Sequence, residues 1–194
     1  CSVVGTAETA PSALTSPPTA TSGPVSGDDR AGIAPPVAPV AATLPSGVDP
    51  SSDAALAWRA LMSPVGEYAA AASYLAVLDR FGTVEPYATI LQGELRHIDA
   101  LTRQLSRAGI DVPENPYLAV VVAPDDLLTA AEAWAEGEIA NVELYDELLA
   151  KADDARLVRV LSNLRRASLE SHLPLFEAAA AAGGTLDEMP AHTP

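Results

Sequence analysis

The sequence predicts an all-α fold, a four-helix bundle preceded by a disordered N-terminal linker. Three observations carry that prediction. After residue 51, apolar residues recur at helical spacing through four long runs, most of them bounded by capping or helix-stopping residues. Strand signals are poor: Val120 to Val122 is the only β-branched run there, and it is short. The first 50 residues hold nine of the 17 prolines and no Phe, Trp or Tyr. Without large apolar side chains, such a segment cannot offset its chain entropy.

Residues 1–51 therefore read as a Pro/Ala/Ser/Thr-rich linker. Residues 52–186 read as the bundle and residues 187–194 as a flexible tail. A lead-in helix covers residues 52–62. Ser63-Pro64 restarts the chain, because Ser suits an N-cap and Pro the first helical position. The first long helix then runs from Pro64 to near Arg80, ending at Gly82. The second begins between Val84 and Pro86 and runs to Ala108, with Ile90, Leu91, Ile98, Leu101 and Leu105 in register and Gly109 as its cap. Residues 109–123 form a longer connection. The third helix starts after Pro124-Asp125-Asp126, whose acids suit a helix N-terminus, and reaches Lys151. The fourth covers Asp154 to Ala182 before Gly183-Gly184, and Pro174 inside it predicts a kink or break one turn earlier.

The formal net charge is −15, from 26 acidic and 11 basic residues. That balance argues against a nucleic-acid partner, which needs Lys and Arg to neutralise phosphates. It also opposes direct adsorption to anionic lipid. No run of about 20 apolar residues is present to span a bilayer. The only cysteine is Cys1, so no intramolecular disulfide forms. A Cys followed by Ser and a long linker resembles a mature bacterial lipoprotein. That resemblance implies a lipid on Cys1, a membrane partner through that lipid alone, and an extracytoplasmic, envelope-anchored location. As a flexible coil the linker would hold the folded part roughly 40 Å from its anchor.

Glu94-Leu95-Arg96-His97 carries the chemistry. Residues at i and i+3 share a helix face, so carboxylate and imidazole aim at one point. Four-helix carboxylate proteins hold two iron or manganese ions with this unit and single glutamates from neighbouring helices. On the first helix Glu67 stands alone among alanines, as a ligand candidate or as a solvated acid near the helix start. Tyr74 lies seven residues on, on the same face, and reads first as a core aromatic. On the third helix Glu138 shares a stripe with Trp134, Asn141 and Tyr145, which favours it over the rival stripe of Glu136 and Glu143. On the fourth helix the candidate is His172, whose i−3 neighbour is Leu169 rather than Glu. His192 falls in the tail. The expected metal ligands are thus Glu67, Glu94, His97, Glu138 and His172, with Tyr74 and Asn141 behind them. Glutamate and imidazole suit iron, manganese or zinc.

These residues also carry a resemblance. Glu67 through Tyr74, then Arg80-Phe81-Gly82, then Gly93 through Leu101, resembles the uncharacterised ferritin-like proteins catalogued as domain of unknown function 2202. Glu138 to Asn141 and Ser168 to Phe176 extend the resemblance across residues 53–178. It implies a ferritin-like bundle, with the five residues at its di-metal ligand positions and iron or manganese as the cofactor. The chain departs from the pattern at Val65-Gly66-Glu67, at Glu136-Gly137-Glu138 and at Leu169. The expected function is that of a metal-binding protein, an oxidase or peroxidase drawing electrons from a separate reductant. The alternative is a metal-handling or protein-interaction module without turnover.

Overall fold

The computed structural model describes residues 43–189. The expected lipid site at Cys1, most of the expected linker and the last five residues of the tail lie outside them. The described residues are helical, and they contain no strand beyond one isolated bridge, between Glu85 and Leu186.

Helix α1 (Asp53–Met62) is capped by Ser52, whose hydroxyl accepts the Ala55 N–H. It buries Leu56, Trp58 and Leu61. Leu44 packs against the same cluster, so packing reaches upstream of residue 52, where the sequence places the edge of the folded part. The next helix does not open at Pro64. Residues Ser63 to Gly66 close a turn, and α2 spans Glu67–Phe81. A Cβ on Gly66 would collide with the Ala60 carbonyl, so glycine lets the chain turn tightly against α1. That later start makes Glu67 the first residue of α2. Ala69 to Ala72 are all buried, and their small side chains let neighbouring helices approach closely.

Helix α3 (Tyr87–Arg107) ends where Gly109 suggested. Gly109 has φ +74°, its N–H bonds to Ser106 O, and the Ile110 N–H reaches back to Leu105 O, a Schellman closure. The long connection that follows is stapled down by side chains. Tyr68 donates to Pro113 O at 2.9 Å, Asn115 to Tyr68 O at 2.7 Å, and Tyr117 to Met62 O at 2.7 Å. A 3-10 turn, Pro116–Ala119, lies within it. Helix α4 (Leu127–Leu149) is capped by Asp126, which accepts the Thr129 N–H at 2.8 Å.

The last long helix is interrupted, as Pro174 predicts, and the form of the interruption matters. Helix α5 (Ala155–Ala167) passes through a π turn, Ser168–His172, into α6 (Leu173–Ala181). Pro174 has no N–H and its ring crowds the preceding turn. Widening that turn absorbs the conflict, and the Leu173 N–H bonds five residues back, to Ser168 O.

Two apolar clusters form the core. One gathers Trp58, Leu61, Tyr68, Leu101, Leu105, Tyr117, Leu148 and Leu161. The other gathers Tyr74, Tyr87, Ile90, Trp134 and Phe176. Along α3, α4 and the α5–α6 run, buried polar residues fall between the two clusters: Glu94; Glu138 and Asn141; Ser168 and His172.

Candidate metal centre

Five ionisable side chains meet in that polar layer. Glu67 opens α2, Glu94 and His97 share one face of α3, Glu138 lies midway along α4, and His172 closes the π turn. Glu67, Glu94 and Glu138 are at most 1% exposed. His172 is buried, and the His97 side chain is 17% exposed. Glu136 and Glu143, the rival stripe, face solvent.

The geometry is nearly twofold about Glu94. His97 Nδ1 lies 2.9 Å from Glu94 Oε2 and 3.4 Å from Glu67 Oε2. His172 Nδ1 lies 3.1 Å from Glu94 Oε1 and 3.4 Å from Glu138 Oε1. Each imidazole thus faces one oxygen of Glu94 and one outer carboxylate, and the two rings are 5.8 Å apart. Two groups of three donors result, Glu67/Glu94/His97 and Glu94/Glu138/His172. Within each, one donor atom per residue lies within 4.8 Å of the others. These buried groupings could hold a metal ion.

Two tyrosines brace the outer carboxylates crosswise. The Tyr74 hydroxyl, from α2, donates to Glu138 Oε1 on α4 at 2.7 Å. The Tyr145 hydroxyl, from α4, donates to Glu67 Oε1 on α2. Burial and the carboxylates beside them hold both phenols well above their ordinary pKa, so they remain donors. Tyr74 is also the core aromatic the sequence suggests, with its ring edge-on to Trp134 at 4.6 Å. Gly137 makes room for that Trp, since a Cβ there would sit 2.7 Å from its ring. This accounts for the interrupted Glu136-Gly137-Glu138. Asn141 is buried one turn beyond Glu138.

Sequence reasoning placed Tyr145 on the inner stripe of α4 but gave it no role at the site. The available signal was a repeat: Tyr follows Glu by seven residues at Glu67–Tyr74 and again at Glu138–Tyr145. The choice of Leu169 as the position beneath His172 is corrected by the π turn. A π turn takes more than four residues, so the residue four back, not three back, lies beneath His172. Ser168 is accordingly buried at 3% exposure, while Leu169 is 39% exposed.

Charge at the centre is mutually held. Burial alone would lower the His97 pKa, but Glu67 and Glu94 outweigh it and raise it to about 10. Burial likewise opposes the charge on His172, and Glu138 and Glu94 raise it to about 11. Burial and the neighbouring Glu94 push the Glu67 carboxyl up. Burial also opposes the charge on Glu94, but contacts from Glu67, His172 and His97 hold it well below the usual range. Even so, Glu67 Oε2, Glu94 Oε1, Glu138 Oε2 and His172 Nδ1 are buried without a hydrogen-bond partner. Buried polar atoms are seldom left in that condition. Glu67, Glu94, Glu138 and His172, which carry these four atoms, all belong to the two three-donor groups. Comparison of the chain with known protein families, with curated proteins and with solved structures finds no match in any of the three.

Proposed function

We propose that this protein is a ferritin-like four-helix bundle that holds a pair of metal ions at two donor groups sharing Glu94. Glu67, Glu94 and His97 would hold one ion, and Glu94, Glu138 and His172 the other. The observation that carries this reading is the pair of three-donor groups sharing Glu94, each of its oxygens turned to a different imidazole. The donor set suits iron or manganese, both accommodated by carboxylate with imidazole. The unpartnered buried oxygens and His172 Nδ1 fit the same assignment, because a cation would satisfy them together.

Bound iron or manganese would supply redox chemistry toward dioxygen or peroxide. The protein's own residues do the rest. Tyr74 and Tyr145 fix the outer carboxylates, so the centre does not rely on long side chains finding their place. The two apolar clusters keep bulk water from both ends of the polar layer. His97, the one partly exposed member, marks the side on which solvent reaches the centre. The folded part contains no cysteine, so electrons would come from a separate reductant. A second reading, metal holding without turnover, is favoured by the short donor set, three protein groups per position with Glu94 counted twice.

Elemental analysis of the full chain, purified without added metal or chelator, tests the centre. Two ions per chain are expected, with Glu94→Gln emptying both positions and His97→Ala or His172→Ala one each. Absence of bound metal, or the same content in all variants, overturns the assignment. Peroxide consumption by the iron- and manganese-loaded forms then separates catalysis from storage.

A further inference from the structure

Away from the metal centre, positive charge collects in one place on a strongly acidic chain. With 26 acids for 11 bases, each cation has ample carboxylates to pair with. Many do pair: Arg59 and Lys151 with Glu147, Arg80 with Asp125, Arg103 with Asp99, and Arg165 with Asp146. Among the described residues, Arg96, Arg107, Arg156, Arg159 and Arg166 have no carboxylate within 4.0 Å, and Arg107, Arg156 and Arg159 fall together. These three line one groove between α3 and α5, about 260 Å³ in volume, with Gln104, Val160 and Asn163. No acid lines it. Arg156 and Arg159 lie one turn apart on α5, and Arg107 comes from the last turn of α3. Like charges at such spacing repel, so this is not where an acidic protein minimising its own energy would put them.

The acids next door are already engaged. An adjoining hollow shares Gln104, Arg107 and Arg156 and has Asp53 and Asp154 on its wall. Asp53 accepts the backbone N–H of Asp153 at 3.0 Å and of Asp154 at 3.1 Å. Asp154 caps α5, accepting the N–H of Arg156 at 2.6 Å and of Leu157 at 3.2 Å. Arg166 donates to the Asn163 carbonyl oxygen at 3.2 Å, which leaves the Asn163 NH₂ as the available donor. The groove lining thus offers three guanidinium forks and amide donors, with the Asp154 carboxylate acting on Arg156 and Arg107 from the adjoining hollow.

We propose that the α3–α5 groove binds a phosphate-bearing anion of more than one negative charge. Guanidinium forks match tetrahedral oxyanions in a way a single ammonium does not. Three arginines within one small groove favour a polyanion over a lone carboxylate. The phosphate could belong to a soluble molecule or to a lipid headgroup. The net charge of −15 opposes approach of the whole protein to an anionic bilayer, which favours the soluble source.

Calorimetric titration of the full chain with pyrophosphate, at ionic strength matched with chloride, tests this. Saturable binding is expected, weakened at least about tenfold in Arg107→Gln/Arg159→Gln, as loss of charged hydrogen bonds predicts. Arg103→Gln, whose arginine already has Asp99, should bind as the parent does. Cosedimentation with vesicles containing cardiolipin, whose headgroup carries two phosphates, provides the second arm. Vesicle binding without pyrophosphate binding, lost in the double variant, supports the groove with a headgroup as the source. Absence of binding in both arms, or equal affinity in the double variant, overturns the proposal. The double variant leaves every proposed metal ligand in place, so its comparison with the parent separates the groove from the metal centre.

Discussion

Glu94 makes the two halves of the centre one unit, because its two oxygens face different imidazoles. In the metal-free protein both imidazoles carry a proton at neutral pH, held by the carboxylates around them. Their contribution to stability is fully present below an unfolded-state pKa near 6.5, and it is lost as pH rises through about 10 for His97 and about 11 for His172. A metal ion competes with those same protons. Metal uptake near pH 7 should therefore release a proton from each imidazole and from Glu67, whose carboxyl is raised to about 8, and affinity should climb with pH. Calorimetry in buffers of different ionisation enthalpy measures that release, and a heat independent of the buffer would contradict it. Tyr145 and Tyr74 hold the outer carboxylates, one step back from the proposed metal. Tyr145→Phe and Tyr74→Phe should each weaken metal binding about 10- to 100-fold, the usual cost of removing a group that orients a ligand. Chelator competition measures it, and unchanged affinity would reduce both phenols to packing.

At the level of elements, the π turn decides which residues of the last helix face the centre. An uninterrupted α-helix would put both Leu169, three back, and Ser168, four back, beside His172. The widened turn groups it with Ser168 and leaves Leu169 in solvent. Ser168→Glu should then add a carboxylate beside His172. It should lower the melting temperature of the metal-free protein, by burying a further acid, and recover that loss on adding manganese. Leu169→Glu, at an exposed position, should stay within about 0.5 kcal/mol of the parent with or without metal. Thermal melts in both states distinguish the two. If Leu169→Glu shows the metal-dependent gain, the register given by the π turn is wrong. The glycines act at this scale too: Gly66 sets where α2 begins and so puts Glu67 at its first residue, and Gly137 admits Trp134 against Tyr74.

Across the whole molecule, a layer of buried charge lies between two apolar clusters that supply the favourable burial. Three carboxylates and two imidazoles removed from water are a net cost unless they are fully paired. The unpartnered atoms show that pairing is incomplete. Metal should consequently stabilise the fold as a ligand that binds the native state only, by about 2.7 kcal/mol for each occupied position at a free concentration 100 times its dissociation constant. Denaturant melts against manganese concentration measure the effect. Glu94→Gln should abolish the dependence. If its melts still respond as the parent's do, the metal is acting elsewhere.

Most of this architecture is local and could be read along the chain. Helical spacing, Ser52 and Asp126 as caps and Gly109 as a stop depend on neighbours a few residues away, so they show in the sequence. The five ionisable residues were legible for a related reason: a Glu or His among alanines and aromatics on an inner helix face has few alternatives to a shared interior. What tertiary structure alone decided is which atoms meet. That Glu94 faces both imidazoles, that Tyr145 reaches Glu67 across the core, and that the α3–α5 groove gathers three unpaired arginines all depend on the relative placement of helices far apart in sequence. The start of α2 at Glu67 and the π turn at Ser168 were likewise hidden. Each settles a conflict, a collision at Gly66 or the ring of Pro174, that exists only once the chain is folded against its neighbours.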